Sequence, residues 1–519
     1  MTVAAKTIFR KAAALVIGLC TFCGTGISAG AAQTQQGAVR HGDVNCDGAV
    51  THEDAEMLIR HLTGEAPLKD LSAAANADMN SNGIVNVTDL SAMKRLILSG
   101  SEHEPQKGHP AGSSDPGASL PEFPLQPLNP AMCSVGEQRI LLVAVSFPDC
   151  KRTDGLTAEQ IQERCFGAAD PQSSAYPMES ISAFYERASY GRLKITGDVY
   201  TYDVPEELST YLNKPDKLVD AVLAGLDAEI DYRTYDADGD GVMNPVIIAL
   251  PNAAGNTDWG PVCGKFSLQK TFDGTAPAKR CIGCAPLDSQ PEFNRIWIHE
   301  LGHTMGLPDY YKFTNTQNGR YGLNGDAGWE MLDDANGDFS AFSKLMYGWI
   351  PETEVQIYQG GTQTFRLESS QAKPGCIVIP RGELNGLLSE FFVIEYATDT
   401  ENNQGGFTNR KAKTLFTGGG VRVLHCDAEV YDSTRGTEFK WYNYSKYYDS
   451  SNEKQRVIRL ANEAEGGRFF GAGDTVDGNI SGFRWYDEDG GQTVGTGLRI
   501  TVDSIADGVC NVTIRPEDN

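Results

Sequence analysis

Two stretches of twelve residues, beginning at Asp43 and Asp78, repeat one pattern of oxygen-bearing side chains. The first carries Asp43, Asn45, Asp47, Thr51 and Asp54 at positions one, three, five, nine and twelve. The second carries Asp78, Asn80, Asn82, Asn86 and Asp89 at the same positions. Calcium is a hard cation that takes about 6–8 oxygen ligands, so this spacing suits a calcium loop. Gly48 and Gly83 stand at position six, where such a loop turns sharply. Val50 and Val85 at position eight suit a short strand-like pairing of the two loops. An apolar helical pattern follows each loop: Met57, Leu58 and Leu62, then Leu90, Met93, Leu96 and Ile97. Residues 40–100 are therefore expected to fold around two calcium ions, each held at the start of a helix.

An ordinary EF-hand pair also needs a helix entering each loop. Asp43 follows a Gln/Gly-rich stretch, and position twelve is Asp rather than Glu. A loop followed by a helix, duplicated, resembles a type I dockerin. The resemblance implies a partner, the cohesin module of a scaffolding protein in a cellulosome-like complex. It also assigns partner choice to positions ten and eleven of each loop, here His52 and Glu53, then Val87 and Thr88. The two pairs differ, so the two faces are not expected to be equivalent.

The ends and the charge narrow the setting. Lys6, Arg10 and Lys11 precede the short apolar stretch from Ala12 to Cys23, and Ala29-Gly30-Ala31 offers a small-residue cleavage site. Residues 1–32 read as a signal peptide; an interfacial anchor or a lipid attachment at Cys20 or Cys23 are the other readings. No later apolar run reaches membrane length, so a secreted chain without a membrane span is expected. Lys+Arg 44 against Asp+Glu 69 gives a net charge of -25 with no basic run, which argues against nucleic acid as a partner. Residues 101–135 are rich in Pro, Gly and Ser and read as a linker. Of 12 cysteines, two lie in the signal, and an exported chain permits disulfides among the rest. Cys281-x-x-Cys284 is the close pair of the mature chain, read as a disulfide or free thiols, since a closed zinc site needs four ligands.

From about residue 136 the pattern is α+β. Ile140 to Phe147 and Leu193 to Tyr200 read as strands, Met178 to Ser189 as a helix, and Leu218, Val219, Val222 and Leu226 mark another helix. Asp236, Asp238 and Asp240 begin a third calcium-like loop, but its position twelve is Ile247. A calcium site with other ligands and a plain Asp/Gly turn both fit.

The densest chemistry lies in SQPEFNRIWIHELGHTMGLPD, Ser289 to Asp309. Ser289 and Glu292 read as a capping box and Pro291 as a first-turn proline, so a helix should begin near Gln290. Gly306 should end it as a left-handed stop. His299 and His303 then project from one face, roughly 5–6 Å apart at Cβ, and can both reach one zinc ion. Glu300 beside them is the candidate general base for the attacking water. With 8 histidines in the chain, a chance His-Glu-x-x-His has a probability of roughly one in a hundred. A hydrolytic zinc usually has three protein ligands and an open position. Asp309 is the first candidate for the third ligand, with Glu330 and His425 as alternatives.

Metzincin proteases have His at the last position of the extended motif and a later Met-turn. Here that position is Asp309, and Met331 is the Met-turn candidate. The segments AFYERASYGRLKITGDV, DADGDGVMN, HELGHTMGLPDYY, FSKLMYGWI and EFFVIEY occur in this order. Together they resemble the immune inhibitor A-type secreted metallopeptidases over Arg139 to Asp427. The resemblance implies a zincin-like catalytic domain at 136–350, one catalytic zinc, and hydrolysis of protein or peptide substrates. Carried over, His299 and His303 are ligands and Glu300 is the base.

After Ile350, alternating apolar and polar runs separated by Gly clusters predict a β-sandwich-like domain over 351–519. The expected whole is a secreted zinc endopeptidase docked onto a cohesin-bearing scaffold. The other reading is a catalytically silent peptide- or carbohydrate-binding component of the same complex, which would have no need of Glu300.

Overall fold

In the computed structural model, residues 40–46, 49–62, 68–69, 73, 76–77, 79, 85, 93, 130–237, 239–252, 254, 262–265, 270–277, 279–311, 329–333, 335–382, 387–404, 418–433, 436–441 and 455–517 are described. The expected signal peptide at 1–32 lies outside them, as does residues 101–129 of the expected linker. The chain divides into two units, Met1–Asp115 and Pro116–Asn519.

In the first unit, helix α1 (His52–Leu62) follows the first loop directly, as the apolar pattern predicts. Leu58 and Ala55 are buried with Val44, Ala73, Ala77 and Met93. Asn76 ties the loop entry down: its amide donates to the Asp43 carbonyl at 2.7 Å, and its side-chain oxygen accepts from Arg40 N at 2.8 Å.

The second unit is layered. Strands β1 (Gly136–Ser146), β2 (Leu193–Asp203), β3 (Val246–Leu250), β4 (Val262–Lys265) and β5 (Lys279–Cys284) form one sheet in the order β2-β1-β3-β5-β4. All pairings are parallel except that of the edge strand β4 with β5. A parallel strand covered on both faces reads as a continuous apolar run, and β1 does. Its Ile140, Leu142 and Ala144 enter one core and its Leu141, Val143 and Val145 another. The second core is closed by helix α4 (Pro215–Leu226), through Leu218, Val219, Val222 and Leu226. The first is closed by α3 (Ile181–Ala188), by α5 (Gln290–Thr304) and by α6 (Ala341–Met346). Helix α2 (Ala158–Phe166) contributes Ile161 and Cys165 to the same core. Helix α3 starts at Ile181 rather than Met178, because the Ser180 hydroxyl accepts from Ala183 N and caps it there.

The chain after Ile350 forms two further sheets. Strands β6 (Val355–Ile357), β8 (Cys376–Pro380), β9 (Glu390–Ala397), β10 (Gly420–Asp427) and β11 (Ile458–Leu460) make a five-stranded sheet. Strands β7 (Gln363–Glu368), β12 (Thr475–Val476), β13 (Leu498–Ala506) and β14 (Val509–Pro516) make a four-stranded one. Phe392, Ile394, Val421 and Val423 of the first share a core with Leu367, Ile500, Val512 and Ile514 of the second, as a sandwich requires. The other face of the five-stranded sheet is also buried: Phe391, Val393, Leu424 and Cys426 pack into the core that holds α5 and α6. Each such apolar side chain contributes about 1.5–3 kcal/mol on full burial, so this sheet is a wall of the helical layer as well as half of the sandwich.

Two local expectations are corrected. Ser289 precedes α5 but its side chain caps nothing, and Glu292 instead pairs with Arg295 at 3.1 Å. Cys281 is disulfide-bonded to Cys263, not to Cys284, which is free. Strand pairing sets Cys263 directly across from Cys281, a register that cysteine spacing does not reveal.

Candidate metal centre

Helix α5 ends as its sequence predicts: Met305 is the cap and Gly306 takes φ 109°. That turn sends the chain back along the helix and sets Asp309 beside both histidines. One oxygen, Asp309 Oδ1, lies 3.1 Å from His299 Nε2 and 3.1 Å from His303 Nε2. The two Nε2 atoms are themselves 3.1 Å apart. Among the described residues, these three side chains form the group of His, Cys, Asp or Glu able to hold a metal ion. A tetrahedral zinc at about 2.0–2.2 Å from its ligands requires donor atoms about 3.3–3.5 Å apart, close to the triangle observed. The remaining ring nitrogens face away from the centre. His299 Nδ1–H donates to the Met331 carbonyl at 2.9 Å and His303 Nδ1–H to the Leu307 carbonyl at 2.8 Å. Those bonds fix the tautomer that leaves each Nε2 lone pair for a metal. The donor set of two imidazoles and one carboxylate fits zinc.

Without a metal the cluster is strongly polarised. Burial alone would raise the Asp309 carboxyl, but the two imidazoles overrule it and hold it below the usual carboxylate range. Burial also disfavours charge on His303, yet the Asp309 carboxylate prevails and lifts that ring to about 9. Glu300 is 7% exposed, and its charge is felt at His303.

A five-residue turn, Trp329–Asp333, supports two of the three candidate ligands. Met331 supplies the carbonyl that orients His299. The Leu332 carbonyl accepts from Tyr310 N at 2.8 Å, on the residue after Asp309. Glu330 holds this turn and lies outside the ligand triangle. Its buried carboxylate accepts from Leu332 N at 2.5 Å, Ser340 N at 3.0 Å and the Ser343 hydroxyl at 2.8 Å. His425 is equally committed elsewhere, between Glu390 Oε1 at 2.8 Å and the Gln492 amide at 2.7 Å. Sequence reasoning missed Tyr311, whose ring stacks beside His299 at 6.2 Å and 16°. It also missed Tyr347, whose hydroxyl donates to the Gly302 carbonyl at 2.9 Å. The Tyr-Tyr pair directly after Asp309 was the signal for the first.

The calcium-loop residues are described in part. Asp43 and Asp54 are buried. Asp54, at position twelve, accepts from Asn45 N at 2.9 Å and Thr51 N at 2.8 Å, drawing positions three and nine together. Asp47, Asp78, Asn80, Asn82, Asn86 and Asp89 lie outside the described residues, as do Val87, Thr88 and the side chain of His52. Glu53 is exposed at the start of α1. In the third loop, Asp236 accepts from Asp240 N at 3.1 Å and Gly241 N at 3.0 Å, and Asp240 accepts from Val242 N at 2.7 Å. Both carboxylates thus close a turn on its own backbone; Asp238 lies outside the described residues.

Comparison with known proteins bears on the two units unequally. Residues 41–98 match the dockerin type I domain family, so this module is a dockerin. Dockerin domains bind calcium and dock onto the cohesin of a scaffold. No curated protein matches the chain. Among solved structures, wild-type OgpA from Akkermansia muciniphila aligns at 12% identity over 56% of this chain and 83% of that one, with a TM-score of 0.22. At that TM-score the likeness bears on neither fold nor function here. Among the described residues, no helix is long and apolar enough to cross a membrane.

Proposed function

We propose that the second unit is a zincin-like, zinc-dependent endopeptidase, secreted and carried by its dockerin onto a cohesin-bearing extracellular complex. The observation that carries this reading is the triangle of His299 Nε2, His303 Nε2 and Asp309 Oδ1 with Glu300 next to it on α5. A zinc ion in such a site supplies Lewis-acid activation of water and of a scissile carbonyl. The chain's residues do the rest. His299, His303 and Asp309 would hold the ion. Glu300 takes the proton of the attacking water at its carboxylate and returns it to the departing amide nitrogen, so the amine leaves neutral. The walls of α5 and the buried turn at Met331 keep the ligands fixed while this happens. A scaffold-bound binder without chemistry would not need an acid/base carboxylate at that position.

Casein hydrolysis by the full chain, with and without a zinc chelator, tests the reading. Hydrolysis that chelation stops and zinc restores is the expected result. A chain with zinc bound and no hydrolysis of casein or of a diverse peptide library would overturn it.

A further inference from the structure

We infer that Arg422, on the five-stranded sheet after Ile350, is a positioning residue for the metal centre, acting through the turn Trp329–Asp333. The inference rests on the zinc reading above. The turn orients His299 through the Met331 carbonyl and steadies the residue after Asp309 through the Leu332 carbonyl. It belongs to no sheet and consists of one short helical turn, Met331–Asp333, so outside groups must hold it. Glu330 ties it to the start of α6. Arg422 ties it to the sheet, because its guanidinium donates to the Trp329 carbonyl, two residues before Met331.

Arg422 is itself fixed. Glu395 lies directly across from it in the β9–β10 register, and the two side chains form an ion pair at 2.9 Å with 0% exposure on each. Glu395 also accepts from Ala341 N at 3.0 Å, the first residue of α6. The guanidinium lies 5.3 Å over the ring of Phe469. A planar fork can engage a carboxylate and a carbonyl at once, which an ammonium cannot do with the same geometry. The sheet that forms half of the sandwich thereby reaches His299 through four links, the hydrogen bond from Arg422 to Trp329, two peptide bonds to Met331, and the hydrogen bond from Met331 to His299. Groups that orient metal ligands from behind typically change metal affinity by about 10–100-fold when lost.

The test uses the full chain with cobalt in place of zinc, reading affinity by chelator competition and ligand geometry by visible absorption. Arg422→Met should bind cobalt at least tenfold more weakly and with an altered spectrum. Arg422→Lys, which keeps the charge beside Glu395, should show a smaller shift of the same kind and serves if the methionine variant does not fold. Ile500→Ala, in the sandwich core away from the turn, should lower the melting temperature and leave affinity and spectrum unchanged. Wild-type affinity and spectrum in a folded Arg422 variant would overturn the inference while leaving the zinc reading standing. Equal losses in Ile500→Ala would overturn it too, since the effect would then be general loosening. A wild-type chain that binds no cobalt would refute the zinc reading itself, and the inference with it.

Discussion

At Glu300 a single substitution should separate holding a metal from using it. Glu300 is outside the ligand triangle, so Glu300→Gln should keep zinc while hydrolysis falls by about 10²–10⁴-fold, the range for losing a general base. Zinc content and peptide turnover on one preparation check this; turnover within threefold of wild type would contradict the assignment. A second residue-scale prediction concerns pH. Gln492 Nε2 can only donate, so His425 Nδ1 accepts and Nε2–H donates to Glu390. Burial lowers the His425 ring to about 4, against about 6.5 unfolded, so the unfolded state binds its proton first and acidification destabilises the fold. Burial raises neighbouring Asp427 to about 6, against about 3.9 unfolded, so there the folded state binds first and acidification stabilises. Between pH 6 and pH 4 the two oppose each other. Asp427→Asn removes the stabilising partner, and its melting temperature should fall more steeply over that range than the wild type's. Parallel slopes would contradict the opposition.

Among the elements, α5 is closely packed at Gly302. A Cβ there would lie 3.0 Å from Leu332 Cδ2 and 3.3 Å from the Tyr347 hydroxyl, so an added side chain requires these two neighbours to give way by a few tenths of an ångström. Gly302→Ala should cost about 1–3 kcal/mol in denaturant unfolding and weaken zinc binding, because Leu332 must move. Unchanged stability and zinc affinity would show the contact to be slack. This helix also marks what the sequence could reveal. Its Pro291 start, its Gly306 stop and the shared face of His299 and His303 follow from local chemistry. The strands after Ile350 were equally legible, because apolar runs between Gly clusters need no partner to be recognised. What stayed hidden depends on register. Cys281 found Cys263 across a strand pair. Arg422 and Glu395 were anomalous charges in apolar strands, a signal of burial, but their alignment opposite each other is a property of the folded sheet.

For the whole molecule, the dockerin and the second unit are expected to answer to different metals. Capture of the chain on a cohesin-bearing surface should vanish with a calcium-selective chelator, while casein hydrolysis persists at zinc-saturating conditions. Docking that survives calcium removal would contradict the roles of Asp43 and Asp54. The five-stranded sheet, buried on both faces, couples the sandwich to the helical layer, so the residues after Ile350 are part of the framework of the candidate metal centre. The claim on which everything else stands is that His299, His303 and Asp309 together hold one zinc. Its most direct test is the zinc content of purified, folded wild type and Asp309→Ala, measured side by side by elemental analysis. One zinc per wild-type chain and less than about a tenth in Asp309→Ala is the expected result, since two imidazoles alone leave the site one protein ligand short. A full equivalent of zinc in folded Asp309→Ala would contradict it.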